Sequence, residues 1–407
     1  VGNGVLAKPA ETSSLCAVLA VNLLHQAGVP KSALQLLPGE GAVVGAALSA
    51  HASINGVCFT GSTLTAKRIN SAMAEQAPID APLIAETGGL NAMIVDSTAL
   101  PEQAVNDIIA SAFQSAGQRC SALRVLYVQQ DIAPDFMVML YGAMEEQVVA
   151  DPWLLSTDIG PVIDQTAQTK INTYIEQART EGRLLKQLDC PQSGTFVTPA
   201  ILKVKGITEM KEEVFGPVLH VAFFKASDLN RIIDDINASG FGLTFGLHSR
   251  IDQRIEDITS KLKVGNMYVN RNQIGAIVGS QPFGGEGLSG TGPKAGGPNY
   301  ITRFIKEKDA DNRLLNTPTN QNRTDQHCTS GTSTFLTINK VQQAINAMGV
   351  IIPTKLKSEV MLGPTGESNI LSTFSRGLIL CLGPTLEQAM LQAKIASDNG
   401  CKGLIIV

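Results

Sequence analysis

The sequence predicts an α/β fold of more than one domain, and three observations carry that expectation. Short apolar runs of strand length alternate with longer segments of helical pattern. Glycine and proline stand at the joints between them. The chain has 407 residues, 44% of them hydrophobic, which is ample for sizeable cores and suggests roughly two or three domains. Strand, helix, strand in this rhythm is the signature of right-handed parallel βαβ units.

Taken in order, Gly4-Val5-Leu6-Ala7 reads as a buried strand. Thr12 is placed to cap a helix through the Ala/Leu/Val-rich stretch that stops at Gly28, with Pro30 beyond. A second strand covers Leu34 to Leu37, a helix fits residues 41–51, and Val57-Cys58-Phe59 makes a third strand before Gly61-Ser62. Because the chain opens inside a strand, further members of this sheet are expected upstream of it. Pro82–Ala85 is another strand, ending at Glu86. A second α/β block spans about residues 87–287. It holds a strand at Ala92–Val95 and a helix over 101–116 with Pro101-Glu102 in its first turn. A polar loop at Gln118–Ser121 leads to a strand at Leu123–Val128; helices are expected at 166–182 and 227–238, and a Gly/Pro-rich loop at 279–298. The polar stretch 308–333 reads as a linker. Leu378–Cys381, Thr385–Ala396 and Gly403–Val407 form a last βαβ unit. The expected division is therefore 1–87, 88–287, a return segment and linker at 288–333, and an interrupted α/β domain at 334–407.

Composition excludes several function classes. A net charge of −4 with no dense Lys/Arg run gives no footprint for nucleic acid. The seven cysteines, at 16, 58, 120, 190, 328, 381 and 401, are odd in number and widely spaced, which argues against a disulfide framework or a thiolate zinc site. The five histidines show no metal spacing. No apolar run approaches the ~20 residues needed to cross a bilayer, and no signal peptide is visible. A reducing cytoplasm is the expected setting.

Several residues could carry chemistry. Cys120 lies in a polar loop beside Arg119, where a thiolate finds partial exposure and positive surroundings; a packing thiol is the competing reading. Cys16, Cys58 and Cys381 sit in apolar patterns and are expected to be packing residues. Glu86 ends a strand before Thr87-Gly88-Gly89 and is either a cleft carboxylate or a surface turn. Gly39-Glu40-Gly41-Ala42-Val43-Val44-Gly45 has the context of a dinucleotide turn but one residue too many. Lys8 and Glu11 stand at a strand's carboxyl end, where open parallel sheets bind ligands; an exposed turn pair is the competing reading, slightly favoured on residue type alone. Glu212-Glu213-Val214-Phe215-Gly216-Pro217 reads alone as a solvated corner.

In succession, these segments resemble the aldehyde dehydrogenase superfamily over residues 1–310. The resemblance rests on Gly2–Thr12, Phe59-Thr60-Gly61-Ser62, Glu86-Thr87-Gly88-Gly89, Gly117-Gln118-Arg119-Cys120 and Glu213-Val214-Phe215-Gly216-Pro217. A narrower resemblance, to the L-glutamate γ-semialdehyde (1-pyrroline-5-carboxylate) dehydrogenase module of bacterial bifunctional proline-utilization enzymes, rests on Glu86–Asp96, Ser115–Leu126 and Gly279–Gly285. The tail, with Gly363–Asn369 and Arg376–Leu382, resembles the dehydrogenase-like C-terminal domain of the longer members, regarded as non-catalytic.

The resemblance implies an aldehyde-dehydrogenase-like α/β fold with a partial Rossmann-type NAD domain, a thiol-bearing catalytic domain and a truncated C-terminal domain. It implies NAD-dependent oxidation of glutamate γ-semialdehyde to glutamate through a Cys120 thiohemiacetal and thioester. Glu86 would be the general base for thioester hydrolysis. Lys8, Glu11, Gly41, Gly45, Gly61, Ser62, Glu213 and Phe215 would bind NAD, and Ser121, Gly275, Ala276 and Phe283 the substrate. No metal is implied. FAD is implied only for a proline dehydrogenase domain upstream in the same polypeptide, and a homo-oligomer is expected. The family's oxyanion-hole Asn belongs to a Pro-Trp-Asn-Phe segment expected upstream of Lys8, which these 407 residues do not contain. Another semialdehyde dehydrogenase, or a non-catalytic assembly or channelling module, are the alternatives.

Overall fold

The computed structural model describes residues 2–305, 338–349 and 351–406; the stretch read as a linker at 308–333 lies outside the described residues. By contacts the chain divides into two compact units. The first comprises Val1–Val278 and Pro282–Ile305, the second Gly279–Gln281 and Lys306–Val407.

The first unit opens with β1 (Val5–Ala7), α1 (Ser14–Gln26), β2 (Leu34–Leu36), α2 (Ala46–Ser49), β3 (Val57–Thr60), α3 (Thr63–Gln76) and β4 (Leu83–Glu86). The strands are parallel in pairs, β1 with β2 and β3 with β4, but the two pairs do not join into one sheet. Each strand therefore has one neighbour, and β1, read from sequence as buried, is largely exposed. Thr12 does not cap α1. A 3-10 turn over Glu11–Ser13 precedes the helix, and Ser13 stands at its N-cap without a side-chain bond. The helix expected at 41–51 is a wide π-type turn over Gly41–Gly45 followed by the single turn of α2.

The rest of the unit is built on one sheet. Its elements are β5 (Ala92–Val95), α4 (Pro101–Phe113), β6 (Val125–Gln129), α5 (Ala133–Glu145), α6 (Gln165–Thr180), β7 (Leu184–Gln187), β8 (Ala200–Lys203), β9 (Val218–Phe224), α7 (Leu229–Ala238), β10 (Phe241–Gly242), β11 (Thr244–His248), α8 (Asp252–Thr259), β12 (Asn266–Val269) and β13 (Glu286–Gly287). Seven strands pair in the order β12-β11-β5-β6-β9-β8-β7, parallel except for the β7–β8 edge. Strands buried on both faces read as continuous apolar runs, as Ala92–Val95 does. Met93 and Val95 pack with α4 and α5 on one face, while Ala92 and Ile94 pack with α7 and α8 on the other.

Within the second unit, α9 (Ile338–Ala347) is followed by an antiparallel hairpin of β14 (Lys355–Met361) and β15 (Asn369–Phe374). The βαβ unit read from sequence follows as β16 (Leu378–Cys381), α10 (Leu386–Asp398) and β17 (Lys402–Ile405), with β16 and β17 parallel. Gln281 donates from its side chain to Glu367 and Asn369 on the hairpin.

The described residues hold no cluster of three or more His, Cys, Asp or Glu able to bind a metal ion. No helix among them is long and apolar enough to cross a membrane.

Candidate active site

Two sets of strand ends supply the candidate residues. Lys8 follows β1, Gly41 follows β2, Gly61 and Ser62 follow β3, and Glu86 closes β4, so all stand at carboxyl ends. The thiol side is the reverse. Asn91 precedes β5, Cys120 to Arg124 lead into β6, Glu213 to Pro217 lead into β9, and Thr244 opens β11. In the seven-stranded sheet the chemistry is thus at the amino ends of parallel strands, against the usual preference for carboxyl ends.

The Cys120 loop gets its shape from the end of α4. After Phe113 the chain turns back through three left-handed residues, Ser115 (φ 58°), Ala116 (φ 53°) and Gly117 (φ 65°). Left-handed backbone disfavours side chains, and at Gly117 there is no room for one. A β-carbon there would stand 2.1 Å from the Gly216 carbonyl oxygen. This close approach brings the Cys120 loop against the loop that carries Glu213.

Arg124, fully buried, ties the two together. Its guanidinium donates through Nε and Nη2 to Glu213 Oε1 (3.1 and 2.9 Å), through Nη1 to the carbonyls of Gly117 and Gly216 (2.8 and 3.2 Å), and through Nη2 to that of Arg119 (3.1 Å). All five N–H groups of the side chain are used. Glu213 also accepts from the Gly89 N–H, and burial raises its carboxyl against these stabilising partners. A β-carbon at Gly88 would meet Glu213 Oε2 at 1.8 Å, so glycine there is required by the approach of the carboxylate. Phe215 lies exposed, its ring 5.3 Å from the Arg124 guanidinium carbon.

The Cys120 thiol is half-buried. Burial pushes it above the ordinary thiol range, Glu213 and Glu86 add to the rise, and the Ser121 and Cys120 N–H groups oppose it. Glu86 is raised to about 7, mainly by burial, with the Gly285 N–H and the Lys294 ammonium acting against the rise. One carboxylate oxygen accepts from Gly285 N (2.9 Å) while the other is buried with no hydrogen-bond partner. A carboxyl group poised near neutrality with one open acceptor has the properties of a general base.

Around the carboxyl ends of β1 and β2, Lys8 Nζ stands 3.2 Å from Glu11 Oε1, and the Gly41 N–H donates to the same oxygen at 2.5 Å. Ser62 caps α3, its hydroxyl accepting from Thr65 N at 3.1 Å. Gly45 lies within the π-type turn. On the thiol side, Ser121 is buried, and Gln273, two residues before Gly275 (φ 72°) and three before Ala276, donates to its carbonyl. Phe283 pairs with Ala295 through an isolated antiparallel bridge. Two of the cysteines read as packing residues, Cys16 on α1 and Cys58 on β3, are exposed, in a region where neither element buries a residue; Cys381 is buried.

The aldehyde dehydrogenase family profile matches residues 1–310. The chain belongs to that family. Among its relatives, the bifunctional protein PutA of Salmonella typhimurium LT2 is 46% identical over 426 residues, which are 99% of this chain and 32% of that protein. The chain therefore spans about a third of that relative's length. A crystal structure of bifunctional proline utilization A has 54% identity and a TM-score of 0.73 over 74% of this chain and 31% of that one. The 1-pyrroline-5-carboxylate dehydrogenase from Thermus with bound NAD has 35% identity and a TM-score of 0.71 over 75% of this chain and 60% of that one.

Family motifs led to Cys120, Glu86 and Glu213 but passed over the residues that hold them. Arg124, Asn91, Gln273 and Lys294 were given no role. Two of these had a readable signal: Arg124 and Asn91 interrupt apolar runs at strand entries, and a polar group buried there must find hydrogen-bond partners. Lys294 and Gln273 lie in irregular loops and had none.

Proposed function

We propose that the chain carries out the aldehyde-oxidising step of proline catabolism, the NAD-dependent conversion of L-glutamate γ-semialdehyde, formed from 1-pyrroline-5-carboxylate, to L-glutamate in the bacterial cytoplasm. The single observation that carries this reading is the thiol–carboxyl pair, Cys120 in its loop and Glu86 at the end of β4, each raised by burial, the thiol also by the charge of Glu86. The relatives supply the substrate class by name.

NAD, when bound, supplies the hydride acceptor. The residues present fit it: at Gly41 a β-carbon would fill the space beside Lys8 Nζ and Glu11 Oε1, at 3.6 and 3.5 Å, so the backbone leaves an open cradle at the carboxyl ends of β1 and β2. Lys8 and Glu11 would hold the adenosine ribose. Gly41, Gly45, Gly61 and Ser62 would flank the adenine and pyrophosphate, and Glu213 and Phe215 the nicotinamide riboside.

Cys120, once deprotonated, adds to the aldehyde carbon and later holds the acyl group as a thioester. Glu86 accepts a proton from the water that releases the acid, through the carboxylate oxygen left without a partner. Ser121, with the backbone of Gly275 and Ala276, would receive the α-carboxylate, and Phe283 would line the substrate chain; a hydroxyl with loop N–H groups makes an anion-binding concavity. The bifunctional relatives support a proline dehydrogenase domain in the same polypeptide, and FAD would belong to that domain.

The test is the near-ultraviolet absorbance of reduced nicotinamide when the protein is given NAD and 1-pyrroline-5-carboxylate, against a panel of semialdehydes lacking the α-amino acid end. Preference for the amino-acid aldehyde is expected. Preference for the truncated aldehydes would indicate another semialdehyde dehydrogenase, and oxidation that survives Cys120→Ala would remove the thiol from the mechanism.

A further inference from the structure

Asn91 lies in the motif that carries Glu86, yet it points the other way, into the protein beneath the nucleophile. It is 3% exposed. Its Nδ2 donates to the Cys120 carbonyl at 2.7 Å and to the Ala122 carbonyl at 2.9 Å, and its Oδ1 accepts from Thr244 N at 3.1 Å. The carbonyl between those two, that of Ser121, accepts from Thr244 Oγ1 and Gln273 Nε2, both at 3.2 Å. The carbonyl before them, that of Arg119, accepts from Arg124. Four consecutive carbonyls are therefore drawn inward by buried side chains.

A trans peptide sets its N–H opposite its carbonyl. With the Arg119 carbonyl held inward by Arg124, the Cys120 N–H faces outward. With the Cys120 carbonyl held inward by Asn91, so does the Ser121 N–H. Both N–H groups act to lower the Cys120 thiol, against its burial. Preorganised donors aimed where charge develops are the strongest device for stabilising an oxyanion.

We propose that Asn91 is a positioning residue for catalysis: it fixes the Cys120–Ser121 peptide so that the Ser121 N–H joins the Cys120 N–H in facing the thiolate and the oxyanion formed when the thiol adds to an aldehyde. This rests on the function proposed above for the reaction, but not on the identity of the aldehyde. Asn91 never touches substrate. It acts through the peptide it holds, and its two-hydrogen amide is what the arrangement needs. An Asp there, even protonated, donates one hydrogen where the amide donates two.

The experiment compares Asn91→Ala and Asn91→Asp with the unaltered chain in three readings: the rate of Cys120 alkylation by iodoacetamide, the kcat and KM for aldehyde and NAD, and the thermal midpoint. A misplaced reacting group costs on the order of 10- to 100-fold. The expected result is a fall of about that size in kcat and in alkylation rate, with both KM values within about threefold. Unchanged kcat and alkylation per folded molecule, with only a lowered thermal midpoint, would overturn the proposal. So would losses confined to KM. If Asn91→Ala does not fold, Asn91→Asp, of the same size and keeping the acceptor for Thr244, decides on the same readings. Should the unaltered chain be alkylated at Cys120 yet oxidise no aldehyde, the functional proposal fails while the alkylation comparison still decides Asn91.

Discussion

Replacing Glu86 by Gln should stabilise the protein and stall it at the same time. Burial lifts the Glu86 carboxyl from 4.5 to about 7. The folded chain thus binds this proton more tightly than the unfolded chain. The ionisation cost is absent below about pH 4.5, grows between there and pH 7, and is full above that. At roughly 1.4 kcal/mol per pKa unit the full cost is about 3 kcal/mol; screening of a partly exposed group reduces it to about 1–2 kcal/mol. Glu86→Gln does not titrate and escapes the cost. Urea denaturation across about pH 5 to 8 should show the variant gaining about 1–2 kcal/mol over the parent as pH rises. A stability difference that stays flat with pH would refute the reasoning. In the same variant, mixing with NAD and aldehyde should give a burst of about one reduced nicotinamide per thiol. Turnover after the burst should be slowed by about 10²–10⁴, as expected for loss of a general base. Undiminished multiple turnover would remove Glu86 from that role.

Three further outcomes follow from the same geometry. Gly117→Ala drives a methyl group into the Gly216 carbonyl at a left-handed position; it should cost about 3 kcal/mol or more in denaturation and abolish Cys120 alkylation, and normal alkylation would show that the loop tolerates displacement. Arg124→Met strands the Glu213 carboxylate and three carbonyls, at a cost of about 3–5 kcal/mol, and Glu213→Gln added to it should recover part of the loss. Strict additivity in that double-mutant cycle would mean the pair is not coupled. Lys294→Met removes the cation that opposes the rise of Glu86; the acid limb of kcat against pH should move upward, and a limb that stays in place or moves down contradicts the assignment.

How far the sequence could be read depended on whether a residue's partners lay near it in the chain. Apolar runs such as Ala92–Val95 named their strands because both faces are buried, and the Leu378–Val407 pattern named its βαβ unit by alternation alone. The pairing of the first strands was not legible: apolarity predicts burial of β1, but burial needs neighbours, and only β2 is there. The left-handed turn at Ser115 and Ala116 was hidden, since neither residue type signals positive φ. At the site, motif succession led to the residues expected to touch ligand, Cys120 and Glu86. The clamp on Cys120 was not legible, because Asn91 and Thr244 lie 153 positions apart and Gln273 lies further on still. Nothing local says that their side chains converge on one peptide.

Glu86 closes the last strand of one sheet, and after five intervening residues the chain has entered the other. That short passage is stitched to the segment around 285–291: Thr87 N–H to the Ser289 carbonyl, Thr291 N–H to the Ala85 carbonyl, and Gly285 N–H to Glu86 itself. Glu86 is therefore mounted on the seam where the sheet of β3 and β4 hands over to the seven-stranded sheet. A tilt of one sheet against the other would act on that carboxyl through these bonds. Readiness to hydrolyse an acyl group would then be set by how the two sheets are seated, and the amide of Gly285, protected from hydrogen exchange while the seam is closed, is the place to watch it open.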